Sequence, residues 1–293
     1  MTWIIAAHRC ELVEPGDFVT ITPDVAVMNV DGEVVAFMNT CPHRGARIYT
    51  EPRGNRPPVC AYHGRCARPS QVETYLCQWV GDWLLVDWTD GRVRLGDGNG
   101  LSHMEADFLR GSPALRLHSE IRRTYDFGWR VAVENALDNE HVAHVHTGTL
   151  ATLQLARAGL EVLPGGSSIE AFRSAVADRL DRVAPLFAST YPFDYAHLHL
   201  APYSAVATTR GWTYALQLYL PRLDGRTDFV SRLFVQTEAG ARPGQDRYYA
   251  AVAAMNDRVF AEDEAICQIV VPGFTGNLGP RDDRIAHFRE SLL

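Results

Sequence analysis

Cys41-Pro42-His43-Arg44-Gly45-Ala46 is followed, with sixteen residues between His43 and Cys60, by Cys60-Ala61-Tyr62-His63-Gly64. Two thiolates and two imidazoles can fill a tetrahedral zinc site. They can equally hold a [2Fe–2S] cluster, with both Cys on one iron and both His on the other, which raises the potential of the centre. The spacing favours the cluster. Zinc fingers usually pair Cys with Cys and His with His, whereas here each short loop contributes one of each. Of the remaining cysteines, Cys10, Cys77 and Cys267 read as small buried residues, and Cys66 follows His63 by three positions without a ligand role.

A second group of donors lies between Glu134 and His146, with three His and several carboxylates in one short stretch. On a continuous helix, Asp138 and His141 share a face, as do Asn135 and Asp138. His141 with His144 suits an undistorted helix; His146 can join His141 only if the helix ends or distorts. Two neutral imidazoles and one carboxylate leave metal positions open, the arrangement of non-haem Fe(II) oxygenases. The carboxylate must come from elsewhere, and Glu262-Asp263-Glu264 offers three in a row. Neighbouring helical residues diverge by about 100°. Asp263 falls with apolar Phe260, Ile266, Cys267 and Val270 on or beside the inward face, leaving Glu262 and Glu264 nearer solvent.

The elements that must carry these groups divide in two. Phe18–Ile21, Ala26–Val30, Val34–Met38 and Trp83–Trp88 are short, β-rich runs. Asp31-Gly32 is a hairpin signal, because Gly supplies positive φ, and Asp90-Gly91 closes the last run. A small all-β domain follows from this. The stretch Gly91–Pro113, with Gly96-Asp97-Gly98-Asn99-Gly100, marks a boundary. Beyond it, a strand near Ile121–Val133 runs into a helix over Glu134–His144. Ser168–Phe187 has helical spacing, Ser204–Leu220 and Asp228–Gln236 alternate like strands, and Tyr248–Val270 is the strongest helix. His197 and His199 alternate as in a strand and read as structural or pocket-lining. Trp212, Tyr214 and Tyr203 read as core before pocket. The second domain is therefore α+β. A net charge of −7 argues against nucleic acid as a partner. With no apolar run of about 18 residues and no basic leader, the expectation is a cytoplasmic chain without a membrane span.

The two loops resemble the Rieske signature, C-x-H-R-G-A followed by C-x-Y-H-G, of bacterial ring-hydroxylating and related oxygenases. The resemblance implies Cys41 and Cys60 on one iron and His43 and His63 on the other. Family members usually follow Y-H-G with Trp and a longer loop; here Arg65-Cys66-Ala67-Arg68-Pro69 stands instead. Asn135, Asp138, His141 and His146 likewise match the family's N-x-x-D-x-x-H-x-x-x-x-H, which selects His146 over His144. By the same resemblance Asp138 orients His141 rather than binding metal, and Asn135 sits near the iron. Phe260–Asp263 resembles the F-x-E-D segment of family monooxygenases, so the mononuclear iron ligands are His141, His146 and Asp263. Residues 147–245, where the substrate pocket is expected, match weakly.

The implied architecture is a Rieske [2Fe–2S] domain over residues 1–108 and a helix-grip, START-like α+β catalytic domain over 109–293. The implied activity is that of a terminal oxygenase. Electrons from a separate reductase or ferredoxin enter the cluster, and pass by way of Asp138 to an Fe(II) that activates O2 beside a small organic substrate. A head-to-tail homotrimer sets one subunit's cluster beside the next subunit's iron. The motif pattern looks most like the monooxygenase and demethylase branch. Aromatic cis-dihydroxylation is the alternative, and a Rieske electron-transfer protein with an inactive second domain is the reading from a different class.

Overall fold

A computed structural model describes residues 3–66, 69–87, 101, 103–187, 191–237, 242–271, 273 and 276–292. The chain divides into two compact units, Met1–Ser112 and Pro113–Leu293.

The first unit contains strands β1 (Trp3–His8), β2 (Asp17–Thr22), β3 (Val25–Val30), β4 (Glu33–Met38), β5 (Arg53–Asn55), β6 (Val59–Cys60), β7 (Arg65–Cys66), β8 (Thr74–Tyr75), β9 (Cys77–Val80) and β10 (Trp83–Asp87). A helix, α1 (His103–Arg110), follows. One antiparallel sheet runs β5-β2-β3-β4-β8, a second runs β1-β10-β9, and β6-β7 is a separate hairpin. Asp31 and Gly32 join β3 to β4 with φ of 53° and 97°, the paired positive values that a two-residue hairpin turn demands. Under the first sheet, Phe18 stacks on Tyr49 with ring centroids 3.7 Å apart. Phe37, Met28, Ile48, Cys41 and Cys60 complete that core. The Asp90-Gly91 turn, Trp88, residues 67–68 and the Gly96–Gly100 stretch lie outside the described residues.

The second unit is a seven-stranded antiparallel sheet with helices packed on it, so the expected all-β unit followed by an α+β unit is what the chain forms. Its strands are β11 (Leu115–Tyr125), β12 (Leu155–Val162), β13 (Ser168–Ser174), β14 (Tyr195–Leu200), β15 (Ser204–Thr209), β16 (Thr213–Pro221) and β17 (Thr227–Gln236), in the order β11-β17-β16-β15-β14-β13-β12. Its helices are α2 (Trp129–Leu137), α3 (Val142–Val145), α4 (Ala177–Asp181), α5 (Gln245–Cys267) and α6 (Asp283–Glu290). Val259 and Phe260 of α5, Ile285 and Phe288 of α6 and Val133 and Leu137 of α2 share one core with Phe229 and Tyr219 of the sheet. Trp212 and Tyr214 are buried, and Tyr203 packs edge-on against Trp129, which supports the core reading for these aromatics. Among the described residues no helix is long and apolar enough to cross a membrane.

Three sequence expectations need correction. The strand near Ile121–Val133 ends at Tyr125, because Gly128 starts a helix at Trp129. The helix expected over Glu134–His144 stops at Leu137: Asp138 is extended, with ψ of 130°, and its carboxylate accepts the Glu140 N–H at 2.7 Å. That side-chain bond offers the backbone an alternative to the helix. Finally, Ser168–Ser174 is a strand rather than part of a helix, since β12 and β14 bond it on both sides and override the apolar spacing.

Candidate metal centres

The two loops of the first unit repeat one backbone device. Gly45 N–H donates to the Cys41 carbonyl, and Gly64 N–H donates to the Cys60 carbonyl, each at 2.9 Å. Both glycines have positive φ, 73° and 66°, which lets each loop turn tightly enough to bring its histidine back over its cysteine. Asn39, fully buried, anchors the base of the first loop: its amide donates to the Tyr49 carbonyl at 2.7 Å and accepts the Tyr49 N–H at 2.8 Å.

Cys41 and Cys60 are buried free thiols, whereas His43 and His63 are exposed. The two Nδ1 atoms face each other at 3.1 Å. Two neutral imidazoles at that separation share either a proton or a metal centre. Inward thiols and outward imidazoles are the donors that a His-ligated [2Fe–2S] cluster requires, so these residues fit the group. The side chains of Arg65 and Cys66 are not described; their backbone pairs with Cys60 and Val59 in the β6-β7 hairpin.

In the second unit, His141 immediately precedes the single turn of α3 and His146 ends it. This interruption is what lets residues five apart meet: the Nε2 atoms lie 3.2 Å apart. Asp263 on α5 brings Oδ1 to 3.4 Å from His141 Nε2 and 3.0 Å from His146 Nε2. Donors of one ion, each about 2.0–2.1 Å from it, have such mutual separations. Among the described residues these three form the one such group of metal-ligating side chains. The set of two imidazoles and one carboxylate fits Fe(II). His144 is exposed and points no donor into this group.

The neighbours hold the donors in place. Asn135 Nδ2 donates to Asp263 Oδ1 at 2.8 Å. Asp138 Oδ2 lies 3.5 Å from His141 Nδ1, close but long for a hydrogen bond. Burial pushes the Asp263 carboxyl up, but hydrogen bonds from His141 and His146 outweigh it and keep it below its ordinary value. Burial opposes the charged form of His141, yet Asp138 and Asp263 raise it to about 9. Metal binding therefore displaces protons from this site.

Glu262 does more than flank Asp263 near solvent. Its Oε2 lies 2.8 Å from His146 Nδ1 and accepts the Thr149 hydroxyl at 2.7 Å. Glu264 pairs instead with Arg123 at 2.9 Å. The side chains of Glu262, Asp263 and Glu264 are exposed to similar extents, 28%, 22% and 25%, so the helical wheel alone did not separate them. Glu262→Ala is expected to weaken Fe(II) binding about ten- to a hundredfold, as loss of a ligand's hydrogen-bond partner does. Chelator competition measures this, with the visible spectrum of the first unit unchanged as the control.

A cavity of about 160 Å3 opens beside this triad. Asn135, Asp138, His141, His146 and Asp263 line one side, and the sheet forms its floor. One row of cross-strand partners there reads Glu170, His197, Ala207, Ala215, Leu233, and the two alanines leave the space. At the end of that row, buried Glu170 accepts hydrogen bonds from Asn139 (2.8 Å), Arg284 (3.1 Å) and Arg157. His197 lines the cavity and His199 is buried; neither joins the metal donors. Glu170, Arg284 and Thr149 carry no spacing signal, because each is brought to the site from a different part of the chain.

Residues 2–71 match the Rieske [2Fe-2S] domain family. The chain is 28% identical over 187 residues to toluate 1,2-dioxygenase subunit alpha of Pseudomonas putida, covering 52% of this chain and 41% of that one. It is 24% identical over 181 residues to the glycine betaine monooxygenase oxygenase subunit of Pseudomonas aeruginosa, with the same coverage of both. The matches span about two fifths of the length of these relatives. Among solved structures, the quaternary ammonium Rieske monooxygenase CntA with L-carnitine superposes with a TM-score of 0.74 at 15% identity, covering 99% of this chain and 88% of that one. Naphthalene 1,2-dioxygenase from Rhodococcus sp. gives 0.68 at 16%, over 99% and 88% of the two chains. These likenesses show a common fold. The chain carries a Rieske [2Fe–2S] domain and is a homologue of Rieske oxygenase alpha subunits.

Proposed function

We propose that the chain is the terminal oxygenase component of a Rieske non-haem iron oxygenase. On this reading Cys41, His43, Cys60 and His63 hold the [2Fe–2S] cluster in the unit ending near Ser112. His141, His146 and Asp263 hold Fe(II) in the unit that follows. The observation that carries the proposal is the donor triad opening directly onto a cavity lined largely by apolar side chains. Bound there, the two centres supply electrons and the activation of O2. The chain's own residues do the rest. Asn135 steadies Asp263, Glu262 and Asp138 orient the imidazoles, and the leucines, phenylalanines and alanines of the cavity exclude water from a small organic substrate.

The reaction we assign is hydroxylation or oxidative demethylation. Electrons come from a separate reductase or ferredoxin, and the working assembly is a homotrimer in the cytoplasm. Ring cis-dihydroxylation is a second reading, favoured by the names of the dioxygenase relatives. Labelled O2 separates the two, since a hydroxylated product keeps one labelled atom, a demethylated product keeps none because the label leaves with the released aldehyde, and a cis-diol keeps both.

Iron and sulfide analysis tests the proposal itself. An oxygenase is expected to hold three irons and two acid-labile sulfides per chain, whereas an electron carrier holds two irons and a zinc protein holds no sulfide. Full loading without O2-dependent product from any member of a small-molecule panel, given a surrogate reductase, would also count against it.

A further inference from the structure

Arg284 is a buried cation, 2% exposed, on the wall of the cavity. Its Nε donates to Ser168 Oγ at 2.9 Å and its Nη1 to Glu170 Oε2 at 3.1 Å. Its Nη2 lies 2.9 Å from His197 Nδ1. A guanidinium can only donate, so His197 Nδ1 must accept and the ring proton sits on Nε2. Burial and the Arg284 charge both push the His197 imidazolium well down, which keeps the ring neutral. His197 is itself only 6% exposed and lines the cavity. Its Nε2 has no partner among the described residues, yet it is not sealed off like the buried unpartnered atoms elsewhere in the chain. It opens into the cavity as an unanswered N–H donor.

The surroundings give this donor meaning. Along its row of the sheet, His197 is followed by Ala207, Ala215 and Leu233, so this row offers one hydrogen-bond donor at its edge and apolar surface beyond it, while Thr209, Thr213 and Gln217 line the cavity from elsewhere on the sheet. The space, about 160 Å3, is close to the roughly 150 Å3 of an apolar cavity that accepts benzene. We propose that His197 is the residue that selects and orients the substrate, and that the substrate is about the size of a single ring and carries a carbonyl or carboxylate oxygen that accepts the Nε2–H. A quaternary ammonium group is disfavoured, having no acceptor to offer and meeting the Arg284 charge behind the ring. The inference rests on the cavity being the substrate site of the proposed oxygenase.

The test is calorimetric binding to the full iron-loaded chain, without O2, of four single-ring probes: benzoate, acetophenone, toluene and phenyltrimethylammonium. Benzoate and acetophenone are expected to bind at least about tenfold tighter than toluene, the worth of one buried hydrogen bond. His197→Phe should erase that advantage while leaving toluene binding and the cluster spectrum unchanged, and, because it removes the acceptor of Arg284 Nη2, it should lower the denaturation midpoint. His197→Gln, which keeps an amide donor, should restore part of it. A benzoate preference over acetophenone shows that the guanidinium charge is read as well, and equal affinities show that the hydrogen bond alone is read. An advantage that survives in His197→Phe, or phenyltrimethylammonium binding as tightly as benzoate, overturns the assignment. If none of the four binds the wild-type chain, the cavity is not the substrate site and the proposed function itself fails at that point.

Discussion

Asp263→Ala protein is expected to be isolated with two irons per chain rather than three, with turnover reduced by about a thousandfold or more. Asp263 is the sole carboxylate in the donor triad. Without it, two neutral imidazoles remain and nothing offsets the ion's charge. A neighbour cannot easily take its place: Glu262 is committed to His146 and Thr149, and Glu264 to Arg123. The proposed cluster donors belong to the other compact unit, so the visible spectrum and the paramagnetic signal of the reduced cluster should persist. Iron analysis, electron paramagnetic resonance and product assay together read this out. Retained turnover, or a third iron still bound, would move the ligand assignment elsewhere.

Glu170→Ala is expected to be the most destabilising single change near the site, by about 3–5 kcal/mol. Glu170 is fully buried and answers Arg284, Arg157 and Asn139 at once. Truncation leaves the Arg284 guanidinium buried against an empty space, and an uncompensated buried charge costs more than the pair contributed. Replacing both partners, as Glu170→Leu with Arg284→Met, should cost clearly less than Glu170→Ala alone. Because Asn139 directly follows Asp138, the single variant should also loosen the loop that leads into His141. Chemical denaturation followed by circular dichroism measures the first effect and chelator competition the second. A shift below about 1 kcal/mol for Glu170→Ala would show that Arg284 reaches water or another anion.

The cluster loops were legible from residue types alone because their geometry is local. Cys41 to Gly45 and Cys60 to Gly64 each span one turn, so spacing and a left-handed glycine decide where the donors go. The hairpin at Asp31-Gly32 and the long helix around Asp263 were readable for the same reason. Choosing His146 over His144 was harder. Helical periodicity favours His144, and the helix break at Asp138 that reverses this choice depends on a side-chain bond to Glu140.

What only the tertiary structure decided is the closing of the site across more than a hundred residues. Helix α5 carries Asp263 to the histidines and, one position earlier, Glu262 to the far side of His146. The strand identity of Ser168–Ser174 came from its two hydrogen-bonded neighbours, and only that pairing puts Glu170 beside His197 on the cavity face of the sheet. Local spacing carries the chemistry of single loops. Which carboxylate meets which imidazole is set by how sheet and helices pack, and packing has no period along the chain.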